Sequence, residues 1–225
     1  MNNKQIVDFI TTWLDSVVES ASCDGFIVGV SGGIDSALTS TLAANTGRNV
    51  LLLNMPISQE KGQYGRSNEQ IEWLKQKYEN VSSYEIDLTD SFNIFVDTMS
   101  ATNPTKLAIA NSASRLRMMT LYACANSKNY MVVGTGNKVE DYGIGFFTKY
   151  GDGGVDVSPI ADLLKSQVYE LASYMGVPKS IQNATPTDGL WEDNRSDEDQ
   201  IGASYDELEW ALEYNDSGAE AQLSE

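Results

Sequence analysis

Short apolar runs that stop abruptly at a glycine or asparagine, each followed by a stretch of helical periodicity, constrain this chain more than any other feature. Phe26-Ile-Val-Gly-Val30, Val50-Leu-Leu-Leu-Asn54 and Tyr130-Met-Val-Val-Gly134 are the clearest. Runs this uniform leave no polar face, so the strands they form must be covered on both sides. Helical spacing fills the intervals. Ile6, Phe9, Ile10, Trp13, Leu14, Val17 and Val18 define a first helix, and further helices are expected over about 35–45, 91–99 and 107–126. Ser67 and Gln70 stand at capping-box spacing, which places a helix start there, ahead of Ile71, Trp73 and Leu74. Residues 81–87 read as one more strand. Strands and helices taking turns predict an α/β fold, a doubly wound, mostly parallel sheet with helices on both faces. At 225 residues the chain suits one large domain with a real core, and no repeat or low-complexity linker interrupts it.

The net charge of −17 is lopsided. From Asp188 onward there are thirteen acids and one base, Arg195, so −12 of the total lies there and −5 in the preceding 187 residues. Binding a polyanion needs a basic face, so this balance argues against nucleic acid as a partner. Nucleotides stay open, because they need only a few local cations and backbone N–H groups. The chain opens on an amphipathic pattern with no secretory leader, and no apolar stretch has the length to span a membrane. The expected setting is cytoplasmic. Cys23 and Cys124 make no metal-ligand spacing and the chain has no histidine, so both cysteines are expected as buried free thiols.

In sheets of this kind ligands bind beyond the carboxyl ends of the strands, near the point where strand order reverses. The string Gly29-Val30-Ser31-Gly32-Gly33-Ile34-Asp35-Ser36 lies at such an end. Adjacent glycines allow a sharp turn that presents N–H groups at the start of the next helix, a cradle for phosphate or pyrophosphate. Ser31 and Ser36 add hydroxyl donors, and Asp35 is placed to hold Mg²⁺ against the phosphates. The string lacks the Gly-Lys-Ser/Thr of a Walker loop and the Gly-x-Gly-x-x-Gly of a dinucleotide fold. Read alone, it also fits a tight strand-to-helix turn with a polar cap.

The whole Ser-Gly-Gly-x-Asp-Ser string resembles the pyrophosphate-binding loop of the ATP pyrophosphatases. These enzymes cleave ATP between the α and β phosphates, adenylate a substrate oxygen and then admit a nitrogen or sulfur nucleophile. A second set of strings narrows the resemblance. Gly134-Thr-Gly-Asn-Lys-Val-Glu140, Gly145-Phe-Phe-Thr-Lys-Tyr-Gly-Asp-Gly-Gly154, Asp156, Pro159 and Leu164-Lys-Ser-Gln167 are similar to the NAD synthetase family. So are Asn111-Ser-Ala-Ser-Arg-Leu-Arg-Met118 upstream, and Pro186-Thr-Asp-Gly-Leu-Trp191, Asp197-Glu-Asp199 and Gly202-Ala-Ser-Tyr-Asp-Glu207 downstream. The resemblance covers about residues 5–214. It implies a single synthetase domain over 1–214, adenine nucleotide α-hydrolase-like in fold, and an acidic end over 215–225.

The resemblance also implies an ammonia-dependent ligase that takes ATP, nicotinate adenine dinucleotide and ammonia, uses Mg²⁺, releases pyrophosphate, AMP and NAD, and works as a homodimer. The loop 29–36 would cradle the ATP phosphates, with Thr135, Lys165 and Thr187 on ATP-contacting positions. Asp35 and Glu140 fall on the Mg²⁺ ligands, and Arg115, Lys149 and Asp156 on contacts to the dinucleotide. Asp35, Lys165 and Asp156 would carry the chemistry, Asp156 by positioning ammonia or taking up a proton. These residue types suit that chemistry, because a carboxylate must approach an anionic α-phosphate, which demands a metal and fixed cations. Lys149 and Lys165 are point charges, and Arg115 suits bidentate phosphate recognition. No cysteine with a histidine partner is present to form a glutaminase.

Segment 143–154, with five glycines, is expected to be mobile until ligand orders it. Phe146 and Phe147 read equally as substrate contacts or core anchors, and Trp191 and Trp210 as packing. Two departures from the family pattern stand out. The stretch between Thr135 and Lys149 is one residue longer than the commoner version. The family's closing His-Lys pair near the C-terminus has no counterpart in Ala219-Glu-Ala-Gln-Leu-Ser-Glu225, which implies that the chain is cut short there or does without that closing interaction. A different ATP pyrophosphatase acting on another carboxylate or carbonyl remains an alternative, as does a weakened nucleotide-binding subunit. Retention of Asp35, Glu140 and Lys165 speaks against the second.

Overall fold

The computed structural model describes residues 2–58, 60–187 and 196–217. Four strands form its sheet: β1 (Gly25–Gly29), β2 (Asn49–Asn54), β3 (Val81–Glu85) and β4 (Tyr130–Val132). Helices α1 (Asn3–Ser20), α2 (Ile34–Asn45), α3 (Lys61–Lys77), α4 (Thr89–Met99) and α5 (Lys106–Lys128) alternate with the strands. A π-helical turn (Lys138–Ile144) follows β4, and then come α6 (Lys165–Met175), α7 (Lys179–Gln182), α8 (Asp197–Ile201) and α9 (Tyr205–Asp216). Every strand pairing is parallel, in the order β3-β2-β1-β4. The chain therefore grows outward from β1 to β3 and returns to set β4 on the other side of β1. The reversal falls between β1 and β4, so the segments after these two strands share one crevice.

The pleat of β1 sends alternate side chains to opposite faces. Phe26 and Val28 pack with Val50 and Leu52 against α1, α2 and α6. Ile27, Leu51 and Leu53 face Met118, Leu121 and Ala125 of α5. Both faces are covered, as the unbroken apolar runs require. Among the described residues no helix is long and apolar enough to cross a membrane.

α2 is buried along nearly its whole length, and its small side chains permit that depth. Two of its hydroxyls are satisfied locally: Ser40 Oγ and Thr41 Oγ1 donate to the Ala37 carbonyl at 3.0 and 2.6 Å. Gln70 Nε2 of α3 reaches the same carbonyl at 3.0 Å and both hydroxyls at 3.2 Å. This corrects the expected helix start. α3 begins at Lys61, where the Glu60 carboxylate accepts from Gln63 N at 2.9 Å, and Ser67 and Gln70 are interior and buried. Gly62 and Gly65 weaken the helical signal of the first turns, while Ser67 and Gln70 serve contacts to neighbouring elements that spacing alone cannot reveal.

The cysteines are free, as expected, but half-buried rather than buried. β4 is shorter than its apolar run, which continues through a parallel bridge from Val133 to Val157. The π-helical turn has no counterpart in the expectations from sequence. Trp191, most of its motif and residues 218–225 of the acidic end lie outside the described residues.

Candidate active site

The segment after β1 makes the floor of the crevice. Gly32 has φ +85°, and a Cβ there would run into the carbonyl of Gln63, so α3 seats directly on this glycine. Arg66 Nε donates to the Gly32 carbonyl at 3.1 Å and braces the turn. Within the loop, Ser31 N donates to Ser36 Oγ at 3.2 Å, Gly33 N to Ser31 Oγ at 3.2 Å, and Ser36 Oγ to the Gly33 carbonyl at 3.0 Å. The two serine hydroxyls thus hold the loop's shape. α2 opens on Gly33 with no side-chain cap, which leaves its first-turn N–H groups without the usual internal acceptor. Such a terminus favours anions, and Asp35 sits in that first turn.

Asp35 meets residues from two distant parts of the chain, Asn137 and Lys165. Lys165 Nζ donates to Asp35 Oδ2 at 2.7 Å and to Glu140 Oε1 at 2.8 Å, bridging the two carboxylates with one ammonium. Lys165 is only 2% exposed, a depth at which a charged lysine needs partners. Asn137 Nδ2 donates to Asp35 Oδ1 at 3.0 Å, and its Oδ1 accepts from Val139 N and Glu140 N at 3.1 Å each, so one side chain caps the π-helical turn and orients Asp35. Tyr205 completes the group, its hydroxyl donating to Glu140 Oε1 at 2.6 Å.

Electrostatics follow from this geometry. Burial works against the Lys165 charge, but Asp35 and Glu140 overcome it and hold the ammonium well above the usual lysine range. Burial pushes the Asp35 carboxyl up, with Lys165 pulling the other way. Glu140 feels the same burial, and Lys165 together with the Tyr205 hydroxyl brings it below the usual carboxylate range. Next to it, burial raises Asp141 to about 6, assisted by Asp152, Glu140 and Asp35.

The crevice has a volume of about 530 Å³, and loop 29–36, Thr135, Glu140, Lys165 and Thr187 all line it. Arg115, Lys149 and Asp156 stand apart from it. Arg115 Nε donates to the Lys149 carbonyl at 3.0 Å, and the Lys149 ammonium lies 5.0 Å from the Tyr150 ring. The Asp156 carboxylate accepts from Val132 N at 2.8 Å and from the Tyr122 hydroxyl at 2.9 Å, beside a separate hollow that includes Asn126 and Met131. Burial and this carboxylate push the Tyr122 phenol up to about 12.

Three crevice residues, Arg117, Asp141 and Asp197, and two that bond to its carboxylates, Asn137 and Tyr205, receive no role from the sequence. Arg117 lines the crevice, donates from Nε to the Met55 carbonyl at 3.0 Å and is drawn down by burial to about 10. Among the described residues it forms no ion pair. The signals were present in part. Asn137 stands at cap spacing before Val139 and Glu140, and Tyr205 follows the first residue of the Ser204–Glu207 capping box.

A parallel sheet whose reversal point holds an uncapped helix terminus, a glycine turn and an acid–lysine–acid bridge defines an α/β protein with a crevice suited to an anionic ligand, at the loop whose sequence resembles that of the ATP pyrophosphatases. The NAD synthase family model matches residues 6–223, and the chain belongs to that family. It is 38% identical over 228 residues to an NH(3)-dependent NAD(+) synthetase of Mesoplasma florum, covering 99% of this chain and 91% of that protein. An NMN synthetase from Francisella tularensis superposes with a TM-score of 0.88 at 35% identity, over 95% of this chain and 87% of that one. An NH3-dependent NAD synthetase from Campylobacter jejuni, in complex with the nitrate ion, gives 0.78 at 29% identity, over 100% and 89%.

Proposed function

We propose that the chain is an ammonia-dependent NAD synthetase, an ATP-dependent carbon–nitrogen ligase. A nicotinate carboxylate oxygen of nicotinate adenine dinucleotide attacks the α-phosphorus of ATP, and pyrophosphate leaves. Ammonia then attacks the acyl-adenylate carbonyl carbon, AMP leaves, and the carboxylate has become the amide of NAD. The observation that carries this reading is the Asp35–Lys165–Glu140 bridge at the uncapped start of α2.

The chain's own groups divide the work by charge. First-turn N–H groups of α2 receive the leaving pyrophosphate, and Lys165 and Arg117 supply fixed positive charge in the same crevice. Thr135 and Thr187 add hydroxyls to the ATP side. Asp35 and Glu140 fit Mg²⁺: they are hard oxygen donors within reach of a single cation, since one ammonium already touches both. No group of three His, Cys, Asp or Glu side chains suits a metal among the described residues, so phosphate and water oxygens would complete the shell. The metal would supply charge neutralisation at the phosphates. Arg115, Lys149 and Asp156 would meet the dinucleotide beyond the crevice of one chain, as a homodimer would allow. Exposed apolar side chains support such pairing: Ile94 and Met119 are 67% and 64% exposed, and α4 buries no residue of its own. Free thiols at Cys23 and Cys124 suit the cytoplasm.

A second reading takes nicotinate mononucleotide as the acceptor, with the same bond changes and NMN as product. It is favoured by the higher TM-score to the NMN synthetase of Francisella tularensis. One assay tests both: ATP, Mg²⁺ and ammonium with each nicotinate nucleotide in turn, following AMP and the amidated product. The first reading requires the larger kcat/KM with the dinucleotide. AMP formation with neither acceptor would overturn the ligase assignment.

A further inference from the structure

The bridge between Asp35 and Glu140 is a resting arrangement for an enzyme that binds Mg²⁺–ATP. A divalent cation on the same two carboxylates and the Lys165 ammonium repel each other at contact distance, so the lysine must yield its place. Glu140 then loses one of its donors. Another is Tyr205, whose hydroxyl donates to the same oxygen, Oε1, at 2.6 Å.

We propose that Tyr205 is a positioning residue of this site, its phenol fixing the Glu140 carboxylate for the metal once Lys165 turns to the phosphates. The inference rests on the Mg²⁺–ATP reading given above. The tyrosine is built to hold still. It is buried at the first position of α9, where the Ser204 hydroxyl and the Glu207 carboxylate cap the helix reciprocally. Its own N–H donates to Glu198 Oε1 of α8 at 2.8 Å. The Lys165 ammonium lies 4.9 Å from its ring.

α9 is also tied to both elements that carry the ion cluster. Asp216 accepts from Lys138 Nζ at 2.6 Å, at the start of the π-helical turn that holds Glu140. Glu209 accepts from Ser166 N and Oγ, each at 2.7 Å, one residue past Lys165 at the start of α6. The helix thus spans the two sides of the cluster and delivers one hydroxyl to its centre. Groups that orient a metal-binding carboxylate in this way tune metal affinity without touching the metal.

The competing reading makes Tyr205 a packing anchor for α9 and nothing more. Tyr205→Phe keeps the ring, its packing and its contact with Lys165, and removes only the hydroxyl. Glu209→Gln weakens the docking of α9 and leaves Tyr205 and Glu140 intact. Binding of Mn²⁺ or Mg²⁺ together with a non-hydrolysable ATP analogue is measured by calorimetry on the full chain and both variants. Melting temperatures in EDTA are measured alongside. We expect the metal dissociation constant of Tyr205→Phe to rise roughly tenfold, with its melting temperature in EDTA falling no further than that of Glu209→Gln, whose metal affinity stays close to the parent's. Equal metal affinity for Tyr205→Phe and the parent would overturn the proposal, as would an equal loss in both variants. A parent chain that binds no metal–nucleotide would overturn the enzyme reading itself, and this inference with it.

Discussion

Asp35 does two things at one position: it accepts from Lys165 and Asn137, and it stands in the first turn of α2 where the phosphates of ATP would arrive. Asp35→Asn preserves shape and removes charge. Turnover at limiting Mg²⁺ should fall roughly a hundredfold, about 2.7 kcal/mol of barrier. Unchanged turnover would take Asp35 out of the mechanism. Asp141 offers a stability test with a defined sign. Its folded pKa, about 6, lies above the ordinary aspartate value of 3.8 because burial and neighbouring acids disfavour its charge. The folded state therefore binds the extra proton, and stability falls as pH rises through about 6. In EDTA, the melting temperature of Asp141→Asn relative to the parent should rise between about pH 4 and about pH 7.5; a difference independent of pH would refute the assignment. Asp35, Glu140 and Lys165 were legible because each lies in a short string with few other uses. The depth of Lys165 was not, since its partners lie 130 and 25 residues away and the helix around it has ordinary amphipathic spacing. Tyr205 stayed hidden for the same reason, 65 residues from the carboxylate it contacts.

Among the elements, unbroken apolar runs gave strand positions to within a residue or two, because a parallel sheet covered on both faces leaves little other use for them. Helix starts were harder. A start depends on which N–H groups lack partners, and at α3 the glycines and polar side chains of the first turns hide that. The π-helical turn was invisible, because its wider backbone rings leave no mark in the apolar spacing, and only its Asn137 cap, which holds the Glu140 amide, stands at a spacing the sequence offers. Segment 143–154 was expected to be mobile. Its second half is instead pinned: Asp152 accepts from Thr148 N at 3.1 Å and from Ser114 Oγ at 2.6 Å, and the Thr148 hydroxyl reaches Asn111 Oδ1 at 3.0 Å. Phe147 is exposed. We propose that gating is confined to 143–147. Hydrogen exchange should find the amides of Thr148 and Asp152 protected without ligand, and those of 145–147 gaining protection only with ATP and dinucleotide. Uniform exchange across the segment in both states would exclude a lid of this kind.

At the scale of the molecule, the domain pairs a crevice for nucleotide chemistry with a sequence that holds no cysteine–histidine pair to release ammonia from glutamine. Ammonium should support product formation by the purified chain and glutamine should not, measured as AMP released with each nitrogen source. Equal rates would overturn this reading. The span of the ion cluster has a consequence for how the chain reaches its native state. Asp35 waits on Lys165, and Glu140 waits on Tyr205 from the last helix described. A ribosome releases these pieces in order, N-terminal first. Until α9 is free of the tunnel, Glu140 lacks the Tyr205 hydroxyl and the start of α6 lacks its contact with Glu209. The fully braced site therefore forms only once α9 has emerged. In refolding, the fluorescence of a bound nucleotide analogue should rise no earlier than burial of Tyr205. A signal that precedes it would show that the crevice closes without its final brace.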